Sequence, residues 1–102
     1  MKKNPKDTYT LNYLAYSLAL RNKELTLAQN FIKKALSLDP NNGFFLDTLG
    51  WVEYKRKDFN SSVFYLEQSI IILPNSSEVM DHLADCYLML GRTNEAIYEW
   101  KK

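Results

Sequence analysis

Leu46-Asp47-Thr48-Leu49-Gly50-Trp51-Val52, followed by Ser62-x3-Leu66 and then Pro74, is the stretch on which the reading of this chain turns. Leu49-Gly50 has a counterpart 35 residues upstream in Leu14-Ala15 and another 34 residues downstream in Leu83-Ala84. Ala28, Ser62 and Ala96 recur at intervals of 34, as do Ile32, Leu66 and Trp100, and Pro5, Pro40 and Pro74 stand 35 and 34 apart. A fixed period near 34 residues predicts a helical solenoid. The odd residue falls between Ala15 and Ala28 and is placed at Asn22-Lys23, because lengthening a surface turn by one residue is cheap.

Working outward, each unit reads as two helices. Phe45, Leu46, Leu49 and Val52 recur at helical spacing over a first helix from Phe44 to about Arg56. Asp58 restarts the chain as an N-cap. Phe59, Val63, Leu66 and Ile70 form the inner stripe of the second helix, which Pro74-Asn75-Ser76 stops. The units are expected at 8–42, 43–76 and 77–102, after a tail at 1–7 that reads as the end of a preceding repeat. The third unit breaks off inside its second helix, before the segment that Ala35–Leu38 and Ser69–Leu73 supply earlier. The chain therefore reads as part of a longer array. Ala96, Ile97 and Trp100 would lack a covering helix, and the expectation is fraying there or self-association through that truncated helix.

These residues resemble the tetratricopeptide repeat family, whose pattern is W-x2-L-G-x2-Y, then A-x3-F, then P. The matches are Leu11-x2-Leu14-Ala15, Ala28-x3-Ile32 and Pro40; Leu46-x2-Leu49-Gly50, Ser62-x3-Leu66 and Pro74; and Met80-x2-Leu83-Ala84-x2-Tyr87 with Ala96-x3-Trp100. The stretch from Leu46 to Val52 is also similar to bacterial multi-repeat proteins of the family. The resemblance implies an all-α, right-handed superhelical solenoid of antiparallel hairpins, about three repeats with the last truncated. Departures fall in the second unit. Glu53 replaces the usual Tyr and should face solvent or a neighbouring helix, while Ser62 and Ser69 replace alanines at nearly constant volume.

Composition excludes several function classes. With 13 basic and 12 acidic side chains in 102 residues, the net charge is +1, which gives no electrostatic footprint for nucleic acid or an anionic membrane. The longest strictly apolar run, Cys86 to Leu90, is too short to span a bilayer. Cys86 is the only cysteine, so neither an internal disulfide nor a multi-cysteine metal site is available.

Candidate chemistry is sparse. Glu78, His82 and Cys86 are spaced to meet on one helix face, but Cys86 adjoins the interior position Tyr87 and reads as a small hydrophobe; no metal or other cofactor is expected. His82 with Asp85 reads as a surface pair. No nucleophile or glycine-rich phosphate loop accompanies it, and no enzyme activity is expected. Asn60-Ser61-Ser62 and Asn75-Ser76-Ser77 match a glycosylation pattern but read as turn and cap residues.

In relatives the first helix of each hairpin lines a concave groove. The resemblance places Tyr9, Asn12, Tyr16, Phe44, Asp47, Trp51, Lys55, Glu78, Asp81 and Asp85 there, aromatic at one end and acidic at the other. The family's carboxylate clamp does not transfer: its five places hold Asn12, Tyr16, Thr48, Glu78 and His82, and Glu78 would repel a carboxylate. The expected function is a protein–protein interaction scaffold. Its groove would hold a basic or mixed apolar–basic peptide or helical segment. The competing readings are a structural spacer within a longer array and an accessory module of a larger enzyme.

Overall fold

A computed structural model describes residues 5–91, all of whose regular structure is helical. Helix α1 spans Pro5–Leu20, α2 Leu25–Leu38, α3 Gly43–Lys55, α4 Phe59–Ile72 and α5 Ser77–Met89. The expected uncovered edge at Ala96, Ile97 and Trp100 lies outside the described residues, as does the rest of the third unit's second helix.

Local chemistry sets the boundaries. Asn42 caps α3 by accepting the Phe44 and Phe45 amides at 2.9 and 3.1 Å. Asp58 caps α4 through the Ser61 amide, and Ser76 caps α5 through the Val79 amide, both at 3.3 Å. Each satisfies donors that a helix start leaves unpaired. The turn between α3 and α4 occupies residues 56–58, with Lys57 left-handed at φ 69°. The turn between α1 and α2 occupies residues 21–24 and has two such residues, Asn22 at 55° and Glu24 at 49°. The inserted residue therefore lies in this first turn, as the broken period predicts.

Packing follows the period. Among the described helices α1 packs on α2 and α3 on α4 as hairpins; in addition α1 meets α3, α2 meets α3, α4 meets α5 and α3 meets α5. Contacts stay between adjacent units, so the molecule is elongated, 49 × 26 × 17 Å. Helix α3 has neighbours on nearly every side, and nine of its residues are buried. One apolar cluster joins Ala15, Ala19, Ala28, Ile32 and Ala35 to Phe45, Leu49 and Val52. A second joins Val63 and Leu66 to Val79, Leu83, Ala84, Cys86 and Tyr87.

Gly50, the small residue after Leu49, has a steric reason. A Cβ on Gly50 would stand 2.5 Å from Leu66 Cγ, well inside van der Waals contact. The serines at alanine positions add a polar tie. Ser62 Oγ donates to the Gly50 carbonyl at 2.6 Å, and Ser69 Oγ to the Gly43 carbonyl at 2.8 Å. Both side chains are fully buried, so α4 is hydrogen-bonded to the α3 backbone at two points two turns apart. Glu53 faces a neighbouring helix: it is buried, accepts from Gln29 on α2 and pairs with Arg56 at 3.3 Å.

Candidate functional site: the inner face of α1, α3 and α5

Contacts among the described helices fix which face is the inner one. The first helices touch in succession, α1 to α3 and α3 to α5, whereas α2 and α4 do not touch each other. The stack is closed up along the first helices and splayed along the second ones. Side chains directed away from α2 and α4 therefore converge.

Seven of them line a cavity of about 240 Å³: Asn12, Tyr13 and Tyr16 from α1, Phe44, Asp47 and Thr48 from α3, and Glu78 from α5. No lysine or arginine is among them. Phe44 is 61% exposed and Tyr13 70%. The two carboxylates are held differently. Asp47 is buried, and its Oδ1 lies 2.8 Å from His82 Nδ1. Glu78 is exposed, and its Oε2 accepts the Tyr16 hydroxyl at 3.0 Å. Burial raises the Tyr16 hydroxyl to about 12, and the Glu78 hydrogen bond adds to the shift.

The remaining groove residues fall outside this cavity. Tyr9 is exposed and packs edge-on against Phe45 at 5.5 Å. Trp51 is partly buried, stacked on Tyr54 at 4.4 Å and on His82 at 4.0 Å, with Lys55 Nζ 5.6 Å from its ring centroid. Its indole nitrogen is buried without a partner among the described residues. Asp81 is exposed and Asp85 half-buried; burial pushes the Asp85 carboxyl above its ordinary range, opposed by His82 and reinforced by Asp81.

One sequence expectation changes here. His82 is not half of a surface pair with Asp85: it is buried, and its partner is Asp47, 35 residues away. Glu78, His82 and Cys86, a grouping the sequence reading set aside, are not brought together, and Cys86 is buried in an apolar cluster. Asp47, Glu78 and His82 are, with one ligand-type atom from each within 4.8 Å of the others. The missed signal was the period itself. Residues about one repeat apart on successive first helices are neighbours.

Cys86 points the other way, into the second apolar cluster, with Sγ 2.9 Å from Ser62 Oγ. Burial raises its thiol from 9.0 to about 11, partly offset by the Ser62 hydrogen bond. The folded protein thus holds this proton more tightly than the unfolded chain. The resulting stability is complete below about pH 9 and lost as pH rises towards 11. At pH 8 the shift alone lowers the thiolate fraction about a hundredfold, and thiolate is the reactive form. Ellman's reagent should therefore modify Cys86 at least about a hundredfold faster in denaturant than in buffer. Equal rates would show that the thiol is exposed.

Comparison with known proteins agrees with this fold. The family model described as Tetratricopeptide repeat matches residues 12–42. A TPR repeat-containing protein of Pseudomonas aeruginosa is 32% identical over 83 residues, covering 81% of this chain and 14% of its own length. Another, from Methanocaldococcus jannaschii, is 29% identical over 99 residues, covering 97% of this chain and 17% of its own length. The chain thus spans about one sixth or less of these relatives. Among solved structures, the Yersinia enterocolitica type III secretion translocator chaperone SycD superposes with a TM-score of 0.84 at 18% identity, over 94% of this chain and 72% of that one. A point mutant of MamA gives 0.79 at 21% identity, over 95% and 70%. At such identities the structural likeness shows the fold alone.

Proposed function

Because this chain belongs to the tetratricopeptide repeat family, a fold of protein–protein interaction scaffolds, we propose that it holds a segment of another protein along the inner face of α1, α3 and α5. The segment is basic or mixed apolar–basic. One observation carries the reading: Tyr13 and Phe44 stand largely exposed beside the carboxylates of Asp47 and Glu78, with no lysine or arginine among the described residues that line the cavity between them. Aromatic rings anchor interfaces through flat, rigid apolar area. Surface carboxylates add orientation and on-rate more than affinity, and their effect is screened by salt.

The spacer reading draws on Trp51, whose ring is engaged by Tyr54 and His82 within the stack. The exposed rings of Tyr13 and Phe44 have no such use among the described residues, and they favour binding. No catalytic role is assigned: His82 is paired with Asp47 and Tyr16 with Glu78.

A peptide array probed with the 102-residue chain tests the proposal. Preferential capture of Lys- and Arg-bearing peptides is expected. Phe44→Ala should weaken capture at any salt, by about 1–2 kcal/mol. Asp81→Lys should weaken it mainly at low salt, by less than about 1 kcal/mol. Capture of acidic peptides, or of none, overturns the reading.

A further inference from the structure

We infer that the cavity between α1, α3 and α5 is an arginine side-chain pocket, the specificity element of the groove proposed above, on which this inference rests. Three features of its wall point to a planar organic cation.

The first is charge. Asp47 and Glu78 line the cavity from different helices, and among the described residues no lysine or arginine lines it. The second is unused hydrogen-bonding capacity. Among the described residues each carboxylate has one oxygen engaged, Asp47 Oδ1 by His82 and Glu78 Oε2 by the Tyr16 hydroxyl. An ionised carboxylate accepts on both oxygens, about four bonds in all. Both groups are thus held in place by a single neighbour and keep acceptor capacity for a ligand. The third is the aromatic lining of Tyr13, Tyr16 and Phe44, which offers π-faces to a cation.

Together these features favour guanidinium over ammonium. A guanidinium presents five donors in a rigid planar fork, which can bridge two carboxylates while its face lies on a ring. An ammonium is a compact, strongly hydrated point charge and gains less from the rings. Asp47 is fixed by a buried partner, whereas Glu78 stands exposed. The arrangement therefore presents a rigid inner acceptor and an outer one within reach of the incoming side chain.

The test uses the full 102-residue chain, with amide chemical shifts read by NMR. The probes are N-acetyl-arginine amide, the corresponding lysine amide and the neutral isostere N-acetyl-citrulline amide. Arginine amide should shift the amides of Asn12, Asp47, Thr48 and Glu78 saturably. Lysine amide should bind more weakly, and citrulline amide should leave these signals unmoved. Glu78→Gln should weaken arginine binding about tenfold. Phe44→Ala should also weaken it while leaving the charge intact. Both changes are at exposed positions, so a retained spectrum confirms that the variants fold. Equal response to arginine and citrulline amides, or shifts elsewhere only, overturns the pocket. If basic peptides bind on the array while arginine amide leaves the cavity unperturbed, this inference fails and the groove reading stands. If arginine amide fills the cavity while no basic peptide is captured, the groove reading fails instead.

Discussion

Replacing Leu66 by alanine should lower the stability of the chain by about 2–5 kcal/mol, a large share of the total for a stack of this size. The Leu66 side chain is fully buried in the second apolar cluster, with Val63, Val79, Leu83 and Tyr87. Its Cγ also occupies the space that the missing Cβ of Gly50 leaves open. Truncation removes apolar contact from three helices at once. Collapse is resisted because Ser62 and Ser69 tie α4 to the α3 backbone on either side of the gap. The cavity should therefore persist, which puts the cost towards the upper end of the range. Asp85→Asn is the control. Its carboxyl is raised in the folded state, so at neutral pH the ionised form contributes no stability that the amide would forfeit. Urea melts should show a large fall for Leu66→Ala and no fall for Asp85→Asn. The reverse order would mean that the α4 and α5 faces are misassigned.

The second large effect is expected at a polar site. His82→Ala should cost about 2–4 kcal/mol, because it leaves the buried Asp47 carboxylate without its partner. The 2.8 Å contact joins α3 to α5, so the loss falls on the interface between two units. The same substitution removes the ring stacked on Trp51 at 4.0 Å, and Trp51 fluorescence should change with it. Asp47→Asn introduced into the His82→Ala background should restore part of the loss, since a neutral amide is cheaper to leave unpaired than a charge. A double-mutant cycle isolates the coupling. A His82→Ala melt within about half a kcal/mol of the parent would show that Asp47 is satisfied by water and that the pair holds nothing together.

Much of the molecule was legible in the residues. The Leu-small pair, the Ala or Ser position and the proline recur at a spacing that stacked hairpins explain, and the described residues form two such hairpins and the first helix of a third unit. The insertion was readable from the break in period and lies in the first turn. Asp58 was readable as a cap from its place before an apolar run. These features are local. They depend on backbone propensity and on which residues of one helix are apolar, and both are written in consecutive residues.

The polar pairs were not legible in the same way. Spacing along α5 sets His82 against Asp85, and the structure pairs it with Asp47 on α3. The period makes Tyr16 and Trp51 equivalent groove rings. The structure gives one a hydrogen bond to Glu78 and packs the other between Tyr54 and His82.

By itself, then, the sequence determined the described helices, their order and the period of the stack, although α1 begins at Pro5, inside the stretch read as a tail. Burying one apolar stripe per helix requires no knowledge of anything beyond the next hairpin. Only the tertiary structure decided which inner-face groups meet, which rings stay exposed and where a cavity opens. That choice depends on the angle and offset between successive hairpins. A shift of a few ångströms there, smaller than one helical turn, exchanges one hydrogen-bond partner for another while leaving every local pattern unchanged.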